Sequence, residues 1–320
     1  MKKLLTAVFF FSILFCMRER VFGADHIKWV DFTPTEAAIR DTFEYDVSSY
    51  GSDRHLRIYE SLAVLSVKNG GNFNKYKKSD FSYVIEMYEN GREIKDIAAN
   101  EKLYDYYFEV YKAIFDGIVC EYDEYTITDG KVAVEQKYGL CAFSPFAAGY
   151  YYNHYDDFGA SRSYGYKRRH LGHDMLGSVG TPIVAVESGY VEACGWNQYG
   201  GWRVGIRSFD GKRYYYYAHL RKNHPYSDIY EGKIVAAGDV IGYLGMTGYS
   251  AKENTNNIDT PHLHFGLELI FAPEQKDGYN QIWIDMYSLT NFLAKYRANV
   301  VKDGTETVSV TYKIPTSVWD

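Results

Sequence analysis

Apolar side chains in the first third of the chain recur at helical spacing. Leu56, Tyr59, Leu62, Ala63 and Val67 fall on one face of a helix predicted within 55–67, and Gly70-Gly71 breaks it. Upstream, Thr33 is the candidate N-cap of another helix, with Pro34 at its first position and Glu36 three residues after the cap. Ser79 is the candidate cap of a helix carrying Phe81, Val84, Ile85 and Tyr88, stopped by Asn90-Gly91. Leu103, Tyr107, Tyr111 and Ile114 form a further stripe. From about residue 125 the period drops to two. "YTITDGKVAVEQKYG" alternates around Asp129-Gly130, and Asp210-Gly211 marks a second hairpin. "TPIVAVESGYVEACGW" and "GKIVAAGDVIGYLG" are short β-rich runs between glycine turns. Residues 284–297 read as one helix, and "TETVSVTYKI" can return as a strand.

This pattern predicts an α+β protein, a helical region followed by a mainly antiparallel β domain. The boundaries fall at 24–120 for a helical accessory domain, 121–164 for a β-rich connecting segment, 165–300 for the principal β domain and 301–320 for a tail or strand. Residues 1–23 read as a secretory signal peptide: Lys2 and Lys3 precede an apolar run from Leu4 to Met17, too short to span a bilayer comfortably, and Val21-Phe22-Gly23 precedes a cut before Ala24. A lipidated Cys16 and an uncleaved anchor are the alternatives. The expected location is therefore secreted or extracytoplasmic.

Composition narrows the class. The 320 residues are 46% apolar and 24% charged, which fits a globular chain, and a net charge of −6 gives no support for nucleic-acid binding. Tyrosine is abundant, with 33 copies, most simply explained as amphipathic packing residues. Beyond the leader, Cys120, Cys141 and Cys194 form an odd set without a disulfide framework, although Cys120 and Cys141 can pair across the β segment between them.

The chemistry concentrates in two motifs. In "TPHLHFGLEL" Leu263, Phe265, Leu267 and Leu269 alternate with His262, His264, Gly266 and Glu268, so both histidines project from one face of a strand. Buried together, they require hydrogen-bond partners or a metal. In "RRHLGHDMLG" His170 and Asp174 stand four apart. With one histidine of the "HLH" pair they make three protein ligands and leave a fourth position open, the layout of a catalytic zinc site. His219, in "YYYYAHL", is a further histidine at a strand end.

With H-x-G-x-D at 170–174, "GTPIVAVESGYV", "YYAHL", "GDVIGYLGMTGYS" and "HLHFG" in that order, residues 165–270 resemble the lysostaphin/LytM-type zinc endopeptidases of bacterial cell walls. The resemblance implies a groove over a zinc site, with His170, Asp174 and His264 holding the metal and His219 and His262 as the catalytic histidines. It implies hydrolysis of peptidoglycan stem or cross-bridge peptides by a zinc-activated water, with association at the cell wall or membrane surface. A non-hydrolytic wall, sporulation or division assembly module is the reading from a different class, and a peptidase of non-wall substrates is a third.

Other residues carry two readings each. His173, next to Asp174, is a ligand by spacing or, as favoured here, stands behind the ligands or on the surface, and Gly172 and Gly189 are expected to serve tight backbone geometry. Tyr217 either lines the groove or packs in the strand. Arg168 and Arg169 either meet substrate carboxylates or are solvated. His55, His154 and His224 look isolated. Two features depart from the family: a polar insertion, "AKENTNNIDT", between "TGYS" and "PHLHF", expected beside the groove, and Gly266 where family members often carry glutamate.

Overall fold

The first helix begins one cap later than the proline signal predicts. In the computed structural model, which describes residues 27–163, 167–276 and 278–318, α1 spans Glu36–Ser49 and its cap is Thr35, whose hydroxyl accepts the Ala38 N–H. Thr33 instead donates to the Gly71 carbonyl at 2.6 Å, tying the entry segment to the end of α2 (Ile58–Asn69). Glu36 serves an i, i+4 ion pair with Arg40 at 2.9 Å rather than a capping box. α2 ends where expected, with Gly70 at φ +60. α3 (Lys78–Glu89) is started by Lys77, not Ser79, because the Asp80 carboxylate accepts the Lys77 N–H and satisfies that terminus. A short α4 (Ile94–Ala98) leads into α5 (Glu101–Phe115), capped by Asn100. Its buried stripe runs through Tyr104, Val110, Tyr111 and Ile114, whereas Leu103 is exposed. The signal segment 1–23 lies outside the described residues.

The β region contains β1 (Val119–Thr128), β2 (Lys131–Leu140), β3 (Tyr152–His154), β4 (Ser161–Arg162), β5 (Arg168–Arg169), β6 (His173–Gly177), β7 (Pro182–Val184), β8 (Gly189–Asn197), β9 (Gly201–Ser208), β10 (Arg213–Ala218), β11 (Ile234–Val235), β12 (Val240–Tyr243), β13 (His262–Leu269), β14 (Ile282–Ile284), β15 (Val300–Asp303), β16 (Glu306–Ser309) and β17 (Thr311–Pro315). α6 (Pro273–Lys276) and α7 (Tyr287–Leu293) interrupt it; α7 is shorter than the predicted 284–297 because Asp285 accepts the Tyr287 N–H and starts it late. Asp129 and Gly130 both adopt positive φ, +50 and +73, as a tight hairpin between β1 and β2 requires. β17 adds to the other edge of β1, so the C-terminal segment closes a three-stranded sheet. The main sheet runs β11-β8-β9-β10-β13-β6-β3, with β14 also on β13, and its pairings are antiparallel.

The chain is thus an α+β protein with N-terminal helices and a mainly antiparallel β domain. One hydrophobic core joins the two regions: Phe43 of α1 meets Phe292 of α7 edge-on at 5.3 Å between centroids. At the same boundary Arg213, at the start of β10, reaches the Ala113 carbonyl near the end of α5 at 2.6 Å and grips Glu187 with two further bonds. Cys120 and Cys141 are free thiols that contact one another. Among the described residues no helix is long and apolar enough to cross a membrane.

Candidate active site

Three adjacent strands, β10, β13 and β6, bring the histidines together. The register sets His264 opposite Asp174 on one side and Ala218 on the other, while His262 lies opposite Leu176. Alternation buries Leu263, Phe265, Leu267 and Leu269 completely and turns His262 and His264 to the other face, beside Asp174. His170 arrives from just beyond β5, its N–H bonded to the Ala160 carbonyl. The five residues singled out by the sequence therefore share one site.

His170 Nε2 lies 2.8 Å from His264 Nδ1 and 3.0 Å from Asp174 Oδ1, and His264 Nδ1 lies 3.1 Å from the same oxygen. Neighbouring ligands in a tetrahedral zinc site with bonds of about 2.0–2.1 Å stand about 3.3 Å apart, so these three atoms fit a zinc ion after a small outward shift. Both nitrogens face the shared oxygen, and nitrogen and carboxylate oxygen are the donor types that zinc takes. Gly172 keeps the space open: a Cβ there would stand 2.4 Å from His264 Cε1. Gly189 does the same for a backbone contact, since its Cβ would meet the Arg207 carbonyl at 2.1 Å.

The cluster of His170, Asp174 and His264 is braced by residues that the sequence reading did not single out. Asp157 Oδ2 stands 3.1 Å from His170 Nδ1, and Arg162 bridges Asp157 and Asp174 at 2.7 and 3.0 Å. A proton on His170 Nδ1 directed at Asp157 leaves Nε2 as the free donor atom. Burial disfavours the His170 imidazolium, but Asp157 and Asp174 outweigh it and raise its pKa to about 9. Burial alone would raise the Asp174 carboxyl; hydrogen bonds from His170 and His264 hold it well below the ordinary range. His264 is shifted down, chiefly by burial.

His219 and His262 form the opposite wall, with ring centroids 4.8 Å apart. Each directs Nδ1 at a carbonyl, His219 at Thr247 and His262 at Thr260, both at 2.8 Å. Donation through Nδ1 makes Nε2 the nitrogen that each ring turns to the site. Burial, reinforced by His262 and His264, pushes the His219 imidazolium well below its ordinary pKa, so His219 is neutral at pH 7.

A cavity of about 180 Å³ adjoins these groups, bordered by Arg168, Tyr199, Tyr216 and Tyr249 as well as His170, His219 and His264. Arg168 lies 5.4 Å from the centroids of both Tyr199 and Tyr249 and donates to the Tyr249 hydroxyl. Of the neighbouring β10 tyrosines, Tyr216 borders this cavity and Tyr217 does not. Tyr217 is fully buried and its hydroxyl accepts the Val186 N–H. Counting back two from His219 gives the wrong face because His219 has left the strand, with φ +63, and no longer follows its alternation.

His173 points away from Asp174 into the core, with Nε2 2.5 Å from His154 Nδ1, and His154 Nε2 stands 3.2 Å from Asn291 Oδ1. His154 is therefore not isolated; it pairs behind the site. His55 and His224 lie elsewhere, beside Asp46 and Glu306. Gly266 has a local reason: the Trp283 ring lies over it, and a Cβ would meet that ring at 2.9 Å. The 251–260 segment folds back beside Thr247–Tyr249, next to His219.

Part of the chain is similar to known proteins. Residues 168–277 match the model of peptidase family M23. The L-Ala–D-Glu endopeptidase of Bacillus subtilis is 39% identical over 116 residues, covering 36% of this chain and 34% of the relative. Lysostaphin of Staphylococcus staphylolyticus is 38% identical over 97 residues, 30% of this chain and 18% of the relative. The chain thus spans only about a third or less of these relatives' lengths. A solved structure from Ruminococcus gnavus, provisionally named glycyl-glycine endopeptidase lytM, superposes with a TM-score of 0.52 at 20% identity over 84% of this chain and 91% of that one. That likeness concerns fold, and its extent takes in helical residues for which the sequence offered no usable resemblance. Residues 168–277, the stretch that carries all five of these side chains, are thus similar to peptidase family M23.

Proposed function

We propose that this protein is an extracytoplasmic zinc endopeptidase that hydrolyses amide bonds in peptidoglycan stem or cross-bridge peptides. The observation that carries the reading is the convergence of His170 Nε2, Asp174 Oδ1 and His264 Nδ1 beside the Nε2 edges of His219 and His262. The M23 match and the printed activities of the relatives support the substrate class, and the basic, apolar start of the sequence supports export.

His170, Asp174 and His264 are the residues to hold zinc. Bound there, zinc supplies Lewis acidity that lowers the pKa of water toward about 7 and polarises the scissile carbonyl. Neutral His219 is suited to accept a proton at Nε2 from the attacking water. His262, more open than His219, is suited to stabilise the developing oxyanion or to return a proton to the leaving amine. Asp157 holds His170 in the tautomer that frees Nε2, and Arg162 fixes the second oxygen of Asp174. The cavity between Arg168, Tyr199 and Tyr249 offers a flank for the peptide.

Zinc analysis combined with digestion of purified sacculi tests the proposal. About one zinc per chain and release of peptide fragments with new amino termini are expected. Wall binding without new termini would make the protein an assembly module. Zinc with cleavage of other peptides only would move its substrates away from the wall.

A further inference from the structure

His219 occupies a left-handed backbone conformation at φ +63, which a non-glycine residue keeps only where its surroundings enforce it. Two backbone carbonyls do so: the His219 N–H donates to Gly200 at 2.7 Å and Nδ1 donates to Thr247 at 2.8 Å. Thr247 is itself fixed, because its hydroxyl donates to the Leu220 carbonyl at 2.6 Å and accepts the Trp202 N–H at 3.1 Å. The orientation of a proton-handling imidazole thus depends on where Thr247 sits.

The polar 251–260 segment pairs along that position. It returns along Thr247–Tyr249 through Gly248 N–H to the Thr255 carbonyl at 3.2 Å, a bridge between Thr247 and Asn256, and Asn257 Nδ2 to the Tyr249 carbonyl at 2.7 Å. Lys252, Glu253, Asn256 and Asp259 on it are exposed. Its inward-facing amide is Asn254. Asn254 Oδ1 accepts both the Trp202 indole N–H at 3.0 Å and the Asn223 N–H at 2.8 Å, while Nδ2 donates to Asn223 Oδ1 at 2.6 Å. Both acceptor sites of the oxygen are used, so the amide has one orientation. Asn254 and Asn223 both adopt positive φ, +58 and +65, which asparagine tolerates better than most residues. A single side chain therefore ties the 251–260 segment to Trp202, which bonds Thr247, and to the loop that leaves His219.

We propose that Asn254 is a positioning residue for His219: it locks the 251–260 segment so that the Thr247 carbonyl holds His219 Nδ1 and aims Nε2 into the site. Asn254 then acts on catalysis through Thr247 and His219, while the exposed side chains of the segment, Lys252 among them, take no part in it. Its kinetic consequence rests on the endopeptidase reading above; its structural consequence does not.

Full-length Asn254→Ala is compared with wild type, Asn254→Asp and the exposed-residue control Lys252→Ala. The probes are a soluble muropeptide, zinc analysis and the low-field imidazole N–H proton resonance assigned to His219 by its absence in His219→Ala. Asn254→Ala should lower kcat about tenfold, with KM within about twofold and zinc unchanged, since small misplacements of catalytic groups carry large rate effects. The His219 N–H signal should broaden or vanish. Asn254→Asp keeps both acceptor contacts, and with the Asn223 amide turned to donate to the new carboxylate oxygen it should retain most of each; Lys252→Ala should match wild type. In a His219→Ala background, Asn254→Ala should cause no further loss. If Asn254→Ala does not fold, Trp202→Phe, which removes the indole donor, carries the same readouts. A retained N–H signal, a wild-type kcat, or an undiminished additional loss in the His219→Ala background would overturn the proposal. An inactive wild-type enzyme would sink the endopeptidase reading instead, and the resonance would still decide whether Asn254 holds His219.

Discussion

Arg213→Met should destabilise the protein far more than its surface charge count suggests. Arg213 is 1% exposed and Glu187 3% exposed, and the pair is bidentate at 2.8 and 3.0 Å. Arg213 also supplies the Ala113 carbonyl with a donor at 2.6 Å and contacts Asp210 at 2.9 Å. Methionine keeps much of the volume but leaves the Glu187 carboxylate buried with the Tyr215 hydroxyl as its remaining donor, and leaves the Ala113 carbonyl without that bond. Removing one partner of a buried pair costs about 3–5 kcal/mol. With a urea dependence of about 3 kcal/mol per molar, the unfolding midpoint should fall by about 1–1.7 M. Replacing both partners, Arg213→Met with Glu187→Leu, should recover most of that loss, because the orphaned charge disappears. Midpoints of the wild type, both single variants and the double variant complete the cycle. A fall below about 0.3 M for Arg213→Met, or a double variant as unstable as the single one, would refute the claim that this ion pair clamps α5 to the sheet carrying His219.

Two further perturbations follow from the packing. Gly172→Ala should weaken zinc retention without unfolding the chain, since its Cβ would press on His264 Cε1 and Nε2 at 2.4 and 2.5 Å; metal titration beside circular dichroism reads this, and unchanged zinc affinity would contradict the fit described for the ligands. Glu268, buried on β13, has its pKa raised by burial to about 7. The folded state therefore holds this proton more tightly than the unfolded chain does, so its contribution is full below about pH 4.5 and is lost as pH rises toward about 7. Glu268→Gln should accordingly gain stability relative to wild type at pH 8 but not at pH 4, as read from urea midpoints; an equal difference at both values would show that Glu268 titrates normally.

Much of this arrangement was legible in the chain. The α+β order and the two glycine-marked hairpins follow from a change of hydrophobic period that tertiary contacts reinforce rather than override. His262 and His264 were readable because strict alternation fixes their common face. Positions just outside regular elements were harder. Tyr217 was a candidate because His219 looked like the end of the strand alternation, whereas its positive φ breaks the count. Thr33 resembled a cap because proline follows it, but the helix starts after Thr35, and Thr33 is engaged by Gly71, distant in sequence. Asp157, Arg162 and Asn254 carry no individual signal: Asp157 and Asn254 lie in irregular segments, Arg162 in a strand of two residues, and their partners are brought to them only by the fold. The pairing of His154 with His173 was hidden for the same reason.

The most direct test of the central claim compares His264→Ala with His262→Ala for zinc content and hydrolysis of purified wall. Losing His264 removes one of three proposed ligands, so zinc should be held much more weakly and hydrolysis should stop. Losing His262 leaves all three, so zinc should stay near one per chain while the rate falls by about 10²–10⁴. Loss of zinc from His262→Ala alongside full zinc and activity in His264→Ala would reverse the two assignments, and full hydrolysis by both variants would contradict the zinc-peptidase account itself.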